Sequence, residues 1–492
     1  MQDLREKTLR GGVARMAAQA ASFLLRFGSL MLLARLLDPK DFGLVGMVTA
    51  FTGVLNLFRD FGLSAAAVQR TTVTEEQIST LFWINVFVGA LLGLASVALA
   101  PAVSAFYREP RLLAVTFVLA AGFLFNAAGV QHGALLQRQM RFSVMAVINT
   151  ASLIVATAIA VGGALTGYGY WALVAMTVTT PLLSTIGSWL ATGWIPGRPH
   201  RRAGIRSMMR FGGTVTLNTL VVYIASNLEK VLLGRYWGVD AIGIYGRAYQ
   251  LINIPTENLN SAAGEVAFSA LSRLQDDPRR LKSYFLKGYS LVLALTLPLT
   301  VACAFFADDI VLVLLGPKWK DAAPILRFLA PTILVFAIAN PLSWLLSAIG
   351  LVKRNLKLAL FIAPTMIAGY LIALPYGPKG VAFAYSAVLV LWVVPLIAWC
   401  VRGTVIRFQD IMLVVSRPLA SSVVAGVFAF GARLLWRQSS SHLGLLVGEI
   451  TVLLVVYLAM LLFVAGQRSF YLNLLRGLAE RSPSKENALI SV

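Results

Sequence analysis

The most demanding residues in this chain are polar and charged side chains set inside apolar runs. Arg15, Gln19, Ser22 and Arg26 recur at helical spacing and share one stripe of one helix. Thr49, Thr52, Asn56 and Arg59 do the same on the next. Further on, Thr219, Tyr223, Ser226 and Lys230 make a third stripe, with Glu229 beside Lys230. Gln250, Asn253, Glu257, Asn260 with Ser261, and Glu265 make a fourth, on a run that also carries Arg247. A charge at the centre of a bilayer costs about 2.5–3.5 kcal/mol or more, so each needs a reason. Guanidinium groups grip phosphate oxygens bidentately, so a cavity holding Arg26, Arg59 and Arg247 suits an anionic, phosphate-bearing molecule. Arg26 and Glu257 lie nearest the middles of their runs and are the hardest to explain structurally. Arg15 and Arg59 lie close enough to a helix end to snorkel. Arg59-Asp60 has the further alternative of a local ion pair, and Glu229 and Lys230, as chain neighbours, point to different faces of a helix.

The elements that must hold these residues follow from composition. The 492 residues are 58% apolar and only 13% charged, against about 25% charged in ordinary soluble domains. That hydropathy runs along the whole length, which makes the chain an all-α polytopic membrane protein. Spans of roughly twenty residues fall near 11–36, 42–63, 78–105, 112–132, 143–165, 169–193, 210–236, 241–269, 284–306, 322–349, 355–375, 379–401, 410–434 and 443–466. The first is too long and too polar for a cleaved signal and reads as a retained signal-anchor.

The net charge of +21 would point to nucleic acid in a soluble protein. Here the Lys and Arg residues crowd into alternate loops, with a bias of roughly three to one that places both termini in the cytoplasm. Nucleic acid is therefore not an expected partner. Cys303 and Cys400 sit in apolar segments and suggest neither a disulfide nor a metal site. His132, His200 and His442 share no ligand spacing. No nucleotide-binding GxxxxGK[ST], HExxH or GxSxG motif is present. Asp276-Asp277 and Asp308-Asp309 read as solvated acidic pairs at span ends, and Arg327, Arg417, Arg433 and Glu449 as isolated charges. Trp319, in the turn Leu315-Gly316-Pro317-Lys318-Trp319, reads as an interfacial anchor.

The chain also repeats itself. Ala34-Arg35-Leu36-Leu37 aligns with Gly234-Arg235-Tyr236-Trp237, and Phe42-Gly43-Leu44-Val45-Gly46 with Ile242-Gly243-Ile244-Tyr245-Gly246. Gly43, Gly46, Gly243 and Gly246 read as points of close helix packing. Six spans per half is an even number, so the halves share one orientation and relate by an axis along the membrane normal. The expected divisions are a first lobe over 1–200, a second over 201–405, two further spans over 406–467 and a cytoplasmic tail over 468–492.

The stretch ARLLDPKDFGLVGM followed by FRDFGLSAA resembles the opening of the Wzx-type polysaccharide flippases. These share a superfamily with the lipid II flippases and the MATE exporters. The segment LEKVLLGRYWGVDAIGIYG and the turn LLGPKWKDAAPIL extend the likeness. The resemblance implies two six-helix lobes plus two C-terminal helices around a cationic cavity that alternates between inward- and outward-open states. It implies translocation of undecaprenyl-diphosphate-linked oligosaccharide units from the cytoplasmic to the periplasmic leaflet of a bacterial inner membrane, for O-antigen, capsule or exopolysaccharide. Carried onto this sequence, Arg26, Arg59, Lys230 and Arg247, with Arg15 on the same stripe as Arg26, hold the diphosphate. Asn56, Gln250 and Asn253 contact sugars. Glu257, expected to be buried among neutral polar groups, or Glu265 carries a coupling proton. No bound cofactor is implied. A proton or sodium gradient supplies the drive, and a polysaccharide polymerase or export machinery is the expected partner.

Three alternatives stay open at this point. A lipid II flippase has the same fold and span number. A MATE-type exporter usually has twelve spans and an acidic cation site, which the basic cavity disfavours. A membrane polymerase or acyltransferase would be an enzyme with a long periplasmic loop bearing Arg or His. The longest outer loop here, around Asp308–Ala322, has no His.

Overall fold

The structure, a computed structural model, describes residues 22–58, 74–199, 206–436, 441–464 and 466–468, and between 206 and 226 it describes one side chain, that of Tyr223. Every regular element among these residues is helical. Among the described residues, nine helical stretches are long and apolar enough to cross a membrane by length and composition.

Helix α1 covers residues 22–36 and turns at Asp38 into α2 (Pro39–Leu57). The turn is dictated locally. Pro39 occupies the first helical position, where its missing N–H costs nothing, and the Asp41 carboxylate accepts from the Asp38 N–H at 3.0 Å. Helix α3 (Glu75–Tyr107) starts at a reciprocal cap: the Gln77 N–H donates to Thr74 Oγ1 at 3.3 Å and the Thr74 N–H to Gln77 Oε1 at 3.2 Å. Glu75 and Glu76 in its first turn suit the helix dipole. Next come α4 (Arg111–Arg138), α5 (Phe142–Leu165) and α6 (Tyr170–Thr192). Helix α4 packs on α3 and α6, α5 packs on α6, and α2 lies against both α4 and α6. His132, fully buried on α4, pairs its Nδ1 with Thr192 Oγ1 at 2.8 Å and stacks on Trp189. It is a core histidine, its Nε2 buried without a hydrogen-bond partner among the described residues.

Helix α7 (Arg206–Arg273) joins the two spans expected at 210–236 and 241–269, broken only at Gly238, with φ 81° and ψ −168°. That backbone is open to glycine alone at little cost, which is why the turn falls there. Pro255 lies within its second arm. The remaining helices are α8 (Pro278–Phe305), the short α9 (Ala307–Leu314) and α10 (Ala322–Leu329), then α11 (Pro331–Ala348), α12 (Val352–Ala373), α13 (Gly377–Val401), α14 (Phe408–Trp436) and α15 (His442–Ala459). Helix α8 opens on Asp277, whose carboxylate accepts from the Arg280 N–H at 3.0 Å. Helix α15 opens on Ser441, whose hydroxyl accepts from the Gly444 N–H at 3.2 Å.

The chain packs as two compact units. One contains Met1–Asn258, Leu314–Ile325 and Leu356–Val388; the other contains Leu259–Val313, Leu326–Asn355 and Leu389–Val492. In the second, α14 packs against α15 and α8, and α11 against α8.

That second unit holds an ion network where solvated or isolated charges were expected. Arg433 reaches Asp309 at 2.7 Å and Glu449 at 3.5 Å, and His442 Nδ1 lies 3.6 Å from Asp309. Asp309 is 4% exposed and Glu449 fully buried. Asp308 pairs with Arg327 at 2.6 Å. The reason is geometric: α9, α14 and α15 bring together residues far apart in sequence, and two buried acids survive there through a shared guanidinium.

Candidate functional site

The first unit contains a cavity of about 530 Å³. Its walls come from α1 (Arg26, Ser29, Leu30, Leu33), α2 (Phe42, Val45, Thr49), α5 and α6 (Leu153, Leu173, Met176, Thr177) and both arms of α7 (Tyr223, Asn227, Lys230, Arg247, Tyr249, Gln250, Ile254). Three cations line it, Arg26, Lys230 and Arg247, and no carboxylate does among the described residues.

Each cation has a distinct setting. Arg26 is exposed on α1, and its backbone carbonyl accepts from the Ser29 hydroxyl at 2.9 Å. Lys230 donates to Asn227 Oδ1 at 2.9 Å and lies 4.7 Å from the centroid of the Tyr249 ring. Arg247 is half-buried, donates from Nη1 to Gln250 Oε1 at 2.5 Å, and stacks its guanidinium on Phe42 at 3.9 Å from the ring centroid. A neutral acceptor and an aromatic face hold each of Lys230 and Arg247 in place without cancelling its charge. An anion that enters meets donors already oriented.

One end of the cavity is closed tightly. Gly43 and Gly243 line or border it, and each sits directly on backbone from the other repeat: a Cβ at Gly43 would collide with the Val239 carbonyl, and one at Gly243 with the Pro39 carbonyl. Lys40 and Asp240 face each other at 4.0 Å across the same crossing. Gly46 meets Ile242, whereas Gly246 has open space. Nearby, Lys318 bonds Asp38 at 2.7 Å and Trp319 donates its indole N–H to the Ala34 carbonyl at 2.7 Å. Trp319 is fully buried, 5.3 Å from Phe42 ring to ring. It is therefore no interfacial anchor. The 314–325 segment folds back into the unit that contains α1 and α2, so the indole finds an otherwise unpaired carbonyl there.

Of the residues expected from sequence, Arg26, Lys230, Arg247 and Gln250 meet in the cavity. Asn56 and Asn253 do not line it; Asn56 is exposed and donates back to the Thr52 carbonyl at 3.2 Å. The burial expected for Glu257 is not found: its side chain is exposed and outside the lining. Glu257 shares a face with Gln250 and Ile254 but lies about one turn past Ile254, the last described residue of this helix to line the cavity. Arg15, Arg59 and the side chain of Glu265 lie outside the described residues. Asn227 and Tyr249 line the site without having been singled out. Asn227 lies three residues before Lys230, a spacing that foreshadows the contact.

Residues 32–324 match the family described as "Polysaccharide biosynthesis protein". The lipopolysaccharide biosynthesis protein WzxC of Escherichia coli (strain K12) is 26% identical over 366 residues, 73% of each chain. The teichuronic acid biosynthesis protein TuaB of Bacillus subtilis (strain 168) is 27% identical over 400 residues, 76% of this chain and 78% of that one. Among solved structures, the lipid II flippase MurJ in an inward closed conformation has a TM-score of 0.74 at 14% identity, covering 95% of this chain and 100% of that one. An inward-facing multidrug resistance MATE family transporter has a TM-score of 0.61 at 14% identity, covering 79% and 97%. At that identity these two bear on the fold alone, and it is the all-α polytopic fold expected.

Proposed function

Since the chain belongs to the polysaccharide biosynthesis protein family, we propose that it is a flippase, moving undecaprenyl-diphosphate-linked oligosaccharide units from the cytoplasmic to the periplasmic leaflet of a bacterial inner membrane by alternating access. The observation that carries this reading is the cavity with three cations and no carboxylate among its described lining residues. Unopposed cations at membrane depth are expensive, and an anionic headgroup offsets that cost. Arg247 supplies a flat fork that matches phosphate oxygens, and Lys230 a point charge beside it. Gln250 and Tyr223 stand as neutral partners for sugar hydroxyls. A volume of about 530 Å³ lies within the range of small-ligand sites, roughly 300–1,000 Å³. It suits a diphosphate and the first sugars, with the polyprenyl tail left in lipid.

The same reading places both termini in the cytoplasm, from the bias of Lys and Arg among the loops. The glycine crossing then closes the periplasmic end of the cavity. An ion gradient drives the cycle, and a polymerase or export complex receives the product.

The test is a strain lacking the gene. Its lipid-linked intermediates are extracted and quantified, then measured again with wild-type protein or Arg247→Ala supplied in trans. Accumulation of one undecaprenyl-diphosphate oligosaccharide, cleared by wild type and not by the variant, is the expected result. Accumulation of lipid II would replace the substrate. A rise in drug sensitivity with no accumulated lipid would overturn the reading.

A further inference from the structure

Glu229 precedes Lys230 in the chain but does not line the cavity that Lys230 lines. It has 0% exposure, and neither carboxyl oxygen has a hydrogen-bond partner among the described residues. Lys230 directs its ammonium to Asn227 and over the ring of Tyr249 instead. Besides Lys230, the groups within electrostatic reach of Glu229 are phenols, those of Tyr223, Tyr245, Tyr249, Tyr370 and Tyr385. The hydroxyls of Tyr245 and Tyr370 are themselves buried without hydrogen-bond partners among the described residues. Tyr370 stacks on Tyr385, and Tyr385 meets Tyr249 edge-on. Glu257 also acts on Tyr249, but from an exposed position. Tyr249 thus touches both compartments, with Lys230 over its ring and Glu229 within range of its phenol.

An ionised carboxylate sealed in such a place, with no ion pair among the described residues and only the charge of Lys230, turned to Asn227 and Tyr249, within reach, is among the costliest groups a membrane protein can hold. The neutral acid costs far less, and its O–H can donate to a phenol. We propose that Glu229 is a proton-binding site whose occupancy sets the charge of the cavity. With the proton on, Arg26, Lys230 and Arg247 stand unopposed and hold an anionic headgroup. With the proton off, the carboxylate draws on Lys230 and weakens that hold. Proton and anion therefore bind cooperatively, and each raises the affinity for the other by the same factor. The inference rests on the cavity being an anion site, as proposed above.

The experiment uses the full chain in phospholipid nanodiscs, with farnesyl diphosphate as the probe. Two quantities are measured across pH: probe affinity by calorimetry, and the infrared stretch of neutral carboxyl groups. The expected result for wild type is a neutral-carboxyl band that is lost in Glu229→Gln and kept in Glu449→Gln, the other fully buried acid among the described residues. Wild-type affinity falls as pH rises, by a factor of about 5–150 beyond any fall seen in Glu229→Gln. Glutamine mimics the protonated acid, so that variant retains tight binding at high pH, and the probe's own ionisation cancels in the comparison. Parallel pH profiles for wild type and Glu229→Gln would overturn the proposal. So would absence of the Glu229 band, or a wild-type affinity that follows sodium rather than protons. If the band is present and specific to Glu229 but neither protein binds farnesyl diphosphate, the anion-cavity reading is what fails. The buried proton then stands alone.

Discussion

The guanidinium carbon of Arg247 lies 3.9 Å from the centroid of the Phe42 ring, so a cation of one repeat rests on an aromatic face of the other. Phe42 in turn meets Trp319 edge-on. The cation's position is set by packing on one side and by Gln250 on the other.

Arg247→Ala should therefore cost about 2–5 kcal/mol of headgroup binding, the range for removing one member of a buried hydrogen-bonded charge pair. Arg247→Lys should recover only part of this, because an ammonium lacks the planar fork. Asn56→Ala and Asn253→Ala, both outside the cavity lining, should leave clearance of the lipid-linked intermediate near wild type. A full loss at either asparagine would mean that the substrate path extends well beyond this cavity.

Trp319 offers a sharper structural test. Trp319→Ala should cost about 3–5 kcal/mol of stability, read as a lower unfolding temperature of the detergent-purified protein. Trp319→Phe keeps the packing on Phe42 but leaves the Ala34 carbonyl unpaired, which costs about 1–3 kcal/mol. An interfacial tryptophan would tolerate phenylalanine almost freely, so unchanged unfolding of Trp319→Phe would contradict the buried placement.

The glycine crossing should resist any side chain. Gly43→Ala and Gly243→Ala each force backbone apart, a cost of about 1–3 kcal/mol, and should open that end of the cavity. A cysteine at Thr49, which lines the cavity, reports on this through its labelling rate with a membrane-impermeant maleimide added from outside. The rate should rise in both variants and stay unchanged in Gly246→Ala, where a Cβ meets nothing within 4 Å.

Arg433→Ala should be more damaging than removal of the whole network. Alone it leaves Asp309 and Glu449 uncompensated, for a loss of about 3–5 kcal/mol. Combined with Asp309→Asn and Glu449→Gln, much of that loss should return, which thermal unfolding of wild type, Arg433→Ala, the Asp309→Asn/Glu449→Gln pair and the triple variant in parallel would measure. Additive losses would show that the three side chains act independently.

The spans were legible because lipid enforces them: twenty apolar residues in a row have few other fates. The stretches expected at 143–165 and 169–193 appear as Phe142–Leu165 and Tyr170–Thr192. The contact glycines were legible too, since small residues in corresponding places of a repeat imply close approach, and three of the four make it. The details of the cavity were less so. A helical stripe says which residues share a face, not how far along that face a cavity reaches, so Gln250 lines the site and Glu257, two turns on, does not. Asp309, Arg433 and Glu449 each look stranded along the chain, because their partners come from other helices. The spacing of Glu229 and Lys230 shows that they take different faces but not what surrounds Glu229, since its setting arises from tyrosines more than a hundred residues downstream as well as from its own helix.

Gly43 touches the Val239 carbonyl, Gly243 touches the Pro39 carbonyl, and Lys40 faces Asp240. In the register of the repeat these are the same positions exchanged. A contact in which residue i meets j while j meets i is isologous, the kind that two identical chains make about a two-fold axis. Residues 39–43 and 239–243 thus meet as the matching segments of a homodimer's two subunits would, one short helical segment supplying both surfaces of its own pairing.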